Sequence, residues 1–362
     1  MLEIWRAGGS NTGADLAEAR AIEQEGWDGQ MFMDSQCLSA DPYVQMAVWA
    51  TATERIKLST GVTNPLTRNL AVTAGAAATL QAVSGGRAVL GIGRGDSALA
   101  YLGHAPVSLA RFEEAIKHLQ ILLSGGEIPF EEFGSAGEAA SIHSLSLGAK
   151  PTGVRLKWLT EGLAKVPLDV AATGPKVIAM AAPVAERVTF SVGADPERMR
   201  WALAAARQSR TSAGLSEQGA SWGAQVVVVC HPDEDVAMEV AMHMAPPLAR
   251  FQTMQGQVGP ADAATADNLA RIRQGYDMTE HGNIASKERL VGSALSPDFV
   301  RRFAVVGTPE RCHQRLTELV GLGLERLVVV GPGFYPADWG EAGRLFVREV
   351  MPALRRDCPE KQ

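Results

Sequence analysis

The chain has 362 residues, 46% of them hydrophobic and 20% charged, which is enough apolar material for a large buried core and too little charge for a disordered chain. Its 34 basic and 40 acidic residues leave a net charge of -6, and no run of five or more Lys/Arg supplies the basic face that a nucleic-acid partner needs. Apolar stretches such as Ala71–Leu80 and Ala224–Cys230 fall short of the ~20 residues that span a bilayer, which disfavours a membrane role. The opening Met-Leu-Glu-Ile-Trp-Arg reads as a strand without a charged leader and apolar h-region, so a cytoplasmic protein is expected. The four cysteines, Cys37, Cys230, Cys312 and Cys358, are far apart with no CxxC spacing, which argues against a disulfide framework, a zinc ribbon or an iron–sulfur cluster.

In chain order, eight strand-like runs alternate with helical patterns. The strands are expected at Leu2–Trp5, Gln30–Met33, Ile56–Thr60, Ala88–Ile92, Leu168–Ala171, Arg187–Ser191, Gln225–Cys230 and Arg326–Val330. Helices are expected at Asp15–Glu25, Pro42–Thr53, Leu70–Val83, Leu109–Leu123, Pro175–Ala185, Pro196–Ser212, Glu234–Met244 and Pro309–Leu322, with a final one near Glu341–Leu354. Eight alternating units predict a closed (β/α)8 TIM barrel, because a doubly wound sheet usually stops at five to seven strands. We expect one domain over residues 1–362.

Two connections exceed simple turns, 124–167 and 245–304, and both are read as insertions at the C-terminal, catalytic face of the barrel. The second carries Met238, Met242, Met244 and Met254 on or near its approach and a helical pattern at Ala261–Gln274. These methionines suit either an adaptable apolar lid or ordinary helix packing.

Active sites of such barrels lie where the strands end. The second strand ends in Asp34-Ser35-Gln36 and the third in Gly61-Val62-Thr63-Asn64-Pro65. The fourth ends in Gly91-Ile92-Gly93-Arg94-Gly95-Asp96, spaced GxGxG rather than GxGxxG, so a dinucleotide fingerprint is weak. Its glycines let a flat ring or a phosphate approach the backbone, where Arg94 meets an anion and Asp96 accepts hydrogen bonds. Ala172-Thr173-Gly174-Pro175-Lys176 follows the fifth strand and is either a phosphate site or a capped helix without a ligand. The seven histidines show no metal-ligand spacing, and no metal site is expected. No GxSxG elbow points to covalent hydrolysis. His281, in the second insertion, is the histidine placed over the mouth, as a proton donor suited to neutral pH or as an idle surface residue.

Taken together, Glu25–Asp34, Thr53–Pro65, Ser84–Ser97, Ala172–Lys176 and Val306–Glu310 resemble, in the same order and over nearly the whole chain, the bacterial luciferase-like flavin/deazaflavin oxidoreductases. The likeness is greatest to the coenzyme F420-dependent branch, with its methylenetetrahydromethanopterin reductases and F420-dependent dehydrogenases. The resemblance implies a homodimeric TIM barrel that holds a deazaflavin or flavin ring in its mouth and acts on a small-molecule substrate. Thr60, Gly61, Val62 and Asn64 would form a bulge behind the ring, with a cis Gly61–Val62 peptide. Asp34, Gly93, Arg94 and Asp96 would contact the ring edge or substrate, and Ala172, Thr173, Gly174, Pro175 and Lys176 the phosphate. Asp34, Asp96 and His281 are the catalytic candidates.

One departure stands out, because several dehydrogenases of the family carry a His where this chain has Ser35. A serine is no base near neutral pH without activation, which shifts weight from alcohol oxidation to hydride transfer onto an unsaturated bond. The leading expectation is an F420-dependent hydride transfer to or from a mostly apolar substrate. The alternatives are an FMN-dependent monooxygenase and a cofactor-binding barrel without turnover.

Overall fold

The computed structural model describes residues 2–13, 15–134, 140–254, 256, 258–283, 295–334 and 340–358. Its strands are β1 (Glu3–Gly8), β2 (Gly29–Phe32), β3 (Lys57–Thr60), β4 (Ala88–Ile92), β5 (Ile128–Pro129), β6 (Gly153–Val154), β7 (Leu168–Ala172), β8 (Arg187–Phe190), β9 (Ser221–Cys230), β10 (Val305–Gly307) and β11 (Arg326–Val330). Strands β11, β1, β2, β3, β4, β7, β8 and β9 run parallel in that order, and the β9–β11 pairing closes them into an eight-stranded barrel. All eight expected strands are present. The sequence reading passed over β10, a three-residue strand that pairs with the last residues of β9, Val228–Cys230, because so short a run shows no periodicity.

Parallel strands buried on both faces read as continuous apolar runs, and the pleat then sends alternate side chains to two separate cores. Trp5, Ala7, Met31, Val89, Val227, Val229, Val328 and Val330 belong to an inner cluster, while Ile4, Phe32, Leu58, Leu90, Val188 and Leu327 pack outward under the helices. The helices start where a short acceptor side chain can take up free N–H groups. Asp15, Asp41, Asn69, Asp195 and Asp233 all act as N-caps.

The amino-terminal floor of the barrel is ionic. Arg326, fully buried, lies 3.0 Å from Asp169, and Arg187 and Lys57 both bond Glu3. Burial alone would raise the Glu3 carboxyl, but Arg187 and Lys57 more than offset it and hold its pKa down to about 2.

The two insertions go to different places. The described part of 124–167 carries the antiparallel β5–β6 pair and packs outside the barrel, where Gln81 Nε2 donates to Ala164 O at 3.1 Å and Leu156 joins the outer core. It leaves from the end of the helix Leu109–Leu123, so the chain is already returning from the catalytic face. The described residues of 245–304 extend the helix Glu234–Ala249, add the helices Ala263–Gly275 and Pro297–Phe303, and contribute side chains over the carboxyl ends of the strands.

Candidate active site

The carboxyl ends of the barrel strands open on a cavity of about 610 Å³, roofed by residues of the second insertion. Asp34, Gly61, Val62, Asn64, Gly93, Arg94, Asp96, Thr173, Gly174, Pro175, Lys176 and His281 all line it. Residues from five separate stretches of sequence thus meet at one mouth. No described residue of 124–167 does so.

Thr60 and Ala172 stand outside this lining, and alternation along their strands gives the reason. Ala171 faces the cavity, which turns Ala172 into the outer core. Thr60 is 1% exposed, and its hydroxyl donates to Gly91 O at 2.6 Å within the β3–β4 wall. Neither side chain is available to a ligand.

The β3–β4 wall is built by close approach of backbone. A Cβ on Gly91 would lie 2.0 Å from Thr60 O, one on Gly61 2.7 Å from Met31 Cβ, and one on Gly93 3.0 Å from Val62 Cγ2. The Gly61–Val62 peptide is cis, at the position the resemblance sets for it. Asn64 lines the cavity, but its Oδ1 accepts from the N–H groups of Leu66 and Thr67 at 3.0 Å each, so the side chain is spent on its own turn.

Each cavity carboxylate is held by an arginine. Asp34 is 2% exposed, and its Oδ2 accepts from Arg68 Nη1 at 2.5 Å. The other end of the same guanidinium donates to Asp41 at 2.7 Å and covers the Tyr43 ring. Burial raises the Asp41 carboxyl, but Arg68 and the N-capped N–H groups outweigh it and hold it below its ordinary value. Tyr43 is pushed up by burial and by the neighbouring Asp34 charge. Asp34 Oδ1 is buried without a protein partner.

Asp96 is bonded by Arg250 of the second insertion. That guanidinium lies 5.0 Å from the centroid of Tyr276, whose hydroxyl is 2.6 Å from His281 Nδ1. Tyr101 Oη donates to Met278 O at 2.9 Å, a second tie between the β4 end and the insertion. Of the four methionines singled out, Met244 and Met254 line the cavity, while Met238 and Met242 pack against the inner core.

After β7, Gly174 caps the helix Pro175–Ala181 without a side-chain bond, and Pro175 occupies its first turn. Arg94 Nε donates to Val107 O at 2.7 Å. Arg94 and Lys176 are the cations among the described residues of the cavity lining.

The family model for luciferase-like monooxygenases matches residues 6–326. The chain belongs to this family. Among its relatives is a 5,10-methylenetetrahydromethanopterin reductase of Methanolobus tindarius, 26% identical over 325 residues, covering 87% of this chain and 89% of that protein. Another is an F420-dependent glucose-6-phosphate dehydrogenase of Microbacterium testaceum, 28% identical over 311 residues, covering 84% and 80%. In fold it is similar to the coenzyme F420-dependent tetrahydromethanopterin reductase of Methanopyrus kandleri, with a TM-score of 0.71, 21% identity and coverage of 98% and 99%. This luciferase-like protein is an enzyme of the oxidoreductase class.

Sequence reasoning missed Arg68, Arg250 and Tyr276. Arg68 closes the strand-end loop Asn64–Arg68, so listing cations as well as acids at strand ends finds it. Arg250 and Tyr276 sit in an insertion with no motif, and no local signal marks them.

Proposed function

We propose that this luciferase-like protein is a coenzyme F420-dependent oxidoreductase that moves a hydride between the deazaflavin C5 and a mostly apolar organic substrate. The observation that carries this reading is the division of the cavity lining. Arg94, Thr173, Gly174 and Lys176 form a rim suited to a phosphate, and Met244, Leu248, Phe251 and Met254 form an apolar roof on the insertion. Between them the Gly61 and Gly93 wall has no room for side chains, which suits a flat ring. The buried, unpartnered Asp34 Oδ1 offers an acceptor to a ring or substrate donor. The residues present therefore fit the group. The F420 dependence of the named dehydrogenase relative supports the same reading.

The bound deazaflavin supplies the hydride chemistry, and the protein supplies position and electrostatics. Arg94, Lys176 and the Thr173–Gly174 backbone hold the phosphate against a chain of net charge -6. Gly61, Val62 and Gly93 would lie behind the ring. Asp96 and His281 face the reacting space as the groups that hold or move a proton, while the apolar roof excludes water. The description of the family as monooxygenases favours reduced FMN as a second reading. Fluorescence titration of the purified protein with F420 and with FMN separates the two. We expect F420 to bind, and tight FMN binding without F420 binding overturns the cofactor assignment.

We read the chain as one unit with two insertions, located in the cytoplasm, where its four cysteines, none of them in a disulfide, stay reduced. We also propose a homodimer. The helices Pro42–Ala52 and Leu70–Val83 are apolar on all sides, and Val44, Leu66 and Val72 on or between them are 65%, 51% and 59% exposed. A helix apolar all round belongs in a buried setting. Light scattering should give twice the chain mass, and Val44→Lys with Val72→Lys should give monomers.

A further inference from the structure

The sequence Asp-Ser occurs at two strand ends, Asp34-Ser35 after β2 and Asp96-Ser97 after β4. The fold brings the two serines together, with Ser35 Oγ and Ser97 Oγ 3.0 Å apart on the cavity wall. Two hydroxyls carry two hydrogens, and a contact between them uses one. No other acceptor among the described residues takes the second hydrogen from either oxygen. Of the neighbouring carboxylates, Asp34 accepts from Arg68 and Asp96 from Arg250, and neither accepts from Ser35 or Ser97.

The pair is fixed in place. Gln36 Nε2 donates to Ala98 O at 2.7 Å and ties the β2 loop to the turn that carries Ser97. Ser39 Oγ donates to Met33 O at 3.2 Å and steadies the β2 loop. Ser97 is only 9% exposed, and Leu38, Ala98 and Leu109 of the same lining are apolar. A donor held in such apolar surroundings favours a neutral partner that accepts.

We propose that the Ser35–Ser97 hydroxyl pair binds the carbonyl oxygen of the substrate and selects neutral carbonyl compounds among the apolar molecules that fit the cavity. The pair polarises the carbonyl by its free hydrogen, and in a hydride transfer it would stabilise the charge that gathers on that oxygen. This deepens the reading of the cavity as a substrate site and does not depend on which cofactor shares it.

The test compares acetophenone with α-methylstyrene, which replaces the carbonyl oxygen by a methylene of similar shape, as ligands of the F420-loaded protein followed by NMR titration. The wild type should prefer the ketone by about 2- to 10-fold, the value of one neutral hydrogen bond. Ser35→Ala and Ser97→Ala each leave one hydroxyl and should keep part of the preference, whereas the double variant should lose it. Infrared spectra of [13C]carbonyl acetophenone on the wild type alone should show the stretch at lower frequency than in hexane, a readout that needs no variant. Equal binding of the two probes, binding of neither, an unshifted stretch, or a double variant that still prefers the ketone overturns the proposal. If FMN but not F420 binds and the FMN-loaded protein shows the ketone preference, the cofactor reading fails and this one stands. If F420 binds and no preference is seen, the reverse holds.

Discussion

The floor and the mouth of the barrel use the same chemistry, Asp or Glu against Arg, for different ends. At the floor, Asp169 meets Arg326 and Arg187, Glu3 meets Arg187 and Lys57, and all five residues sit on strands. At the mouth, Asp34 and Asp96 each have one arginine, both arginines come from loops or the insertion, and one oxygen of Asp34 has no hydrogen-bond partner among the described residues. The floor pairs join strand to strand and hold the barrel together, whereas the mouth pairs tie a loop and the insertion to strand ends beside the cavity. The difference lies in the number of partners, not in the residue types.

The comparison breaks most visibly at Arg326. Arg326→Leu leaves Asp169 buried without its nearest counter-ion and should cost about 3–5 kcal/mol of stability, read by thermal unfolding, with little change in the F420 affinity of the folded protein. A fall in affinity as large as the fall in stability would erase the distinction between floor and mouth. Next comes Glu3. Its folded pKa of about 2 lies below the ordinary carboxyl value, so its contribution is present above that value and is lost as pH falls toward 2. Glu3→Gln should therefore cost about 2–3 kcal/mol at neutral pH and almost nothing near the folded pKa. A constant loss across urea melts at both pH values would contradict the pairing.

At the mouth the order of effects should invert. Arg68→Leu strips Asp34 of its partner and should weaken F420 binding by about 10-fold or more, roughly 1.4 kcal/mol, with a smaller change in melting temperature than Arg326→Leu. The smallest effect is expected at Arg250, where Lys keeps the charge but loses the planar face stacked on Tyr276. Arg250→Lys should change affinity by less than about 10-fold and raise proteolytic cleavage within 245–304, because the tie to Asp96 loosens. Unaltered cleavage would show that the tie from Tyr101 suffices.

Most of the barrel could be read from the chain because the buried parallel strands are mainly apolar and several end abruptly in Gly, Asp or Asn. Asp34, Gly61, Gly93, Asp96 and Gly174 are marked in this way. The local pattern does not say which side of the pleat a residue takes when both sides are buried, which is why Thr60 and Ala172 were included. The lengths of the two long connections are alike as signals. Only the direction of the chain on leaving each element puts one at the mouth and the other on the outer helices.

The sequence by itself determined the alternation, the barrel, the family resemblance and the polar strand ends, since each is written in residues close together in the chain. Tertiary structure alone decided the partners. Arg68 reaches back 34 residues to Asp34, Arg250 reaches 154 to Asp96, and Ser35 meets Ser97 across 62. These distances close only when the barrel does, because a hydrogen bond depends on a few ångströms in space and not on spacing along the chain.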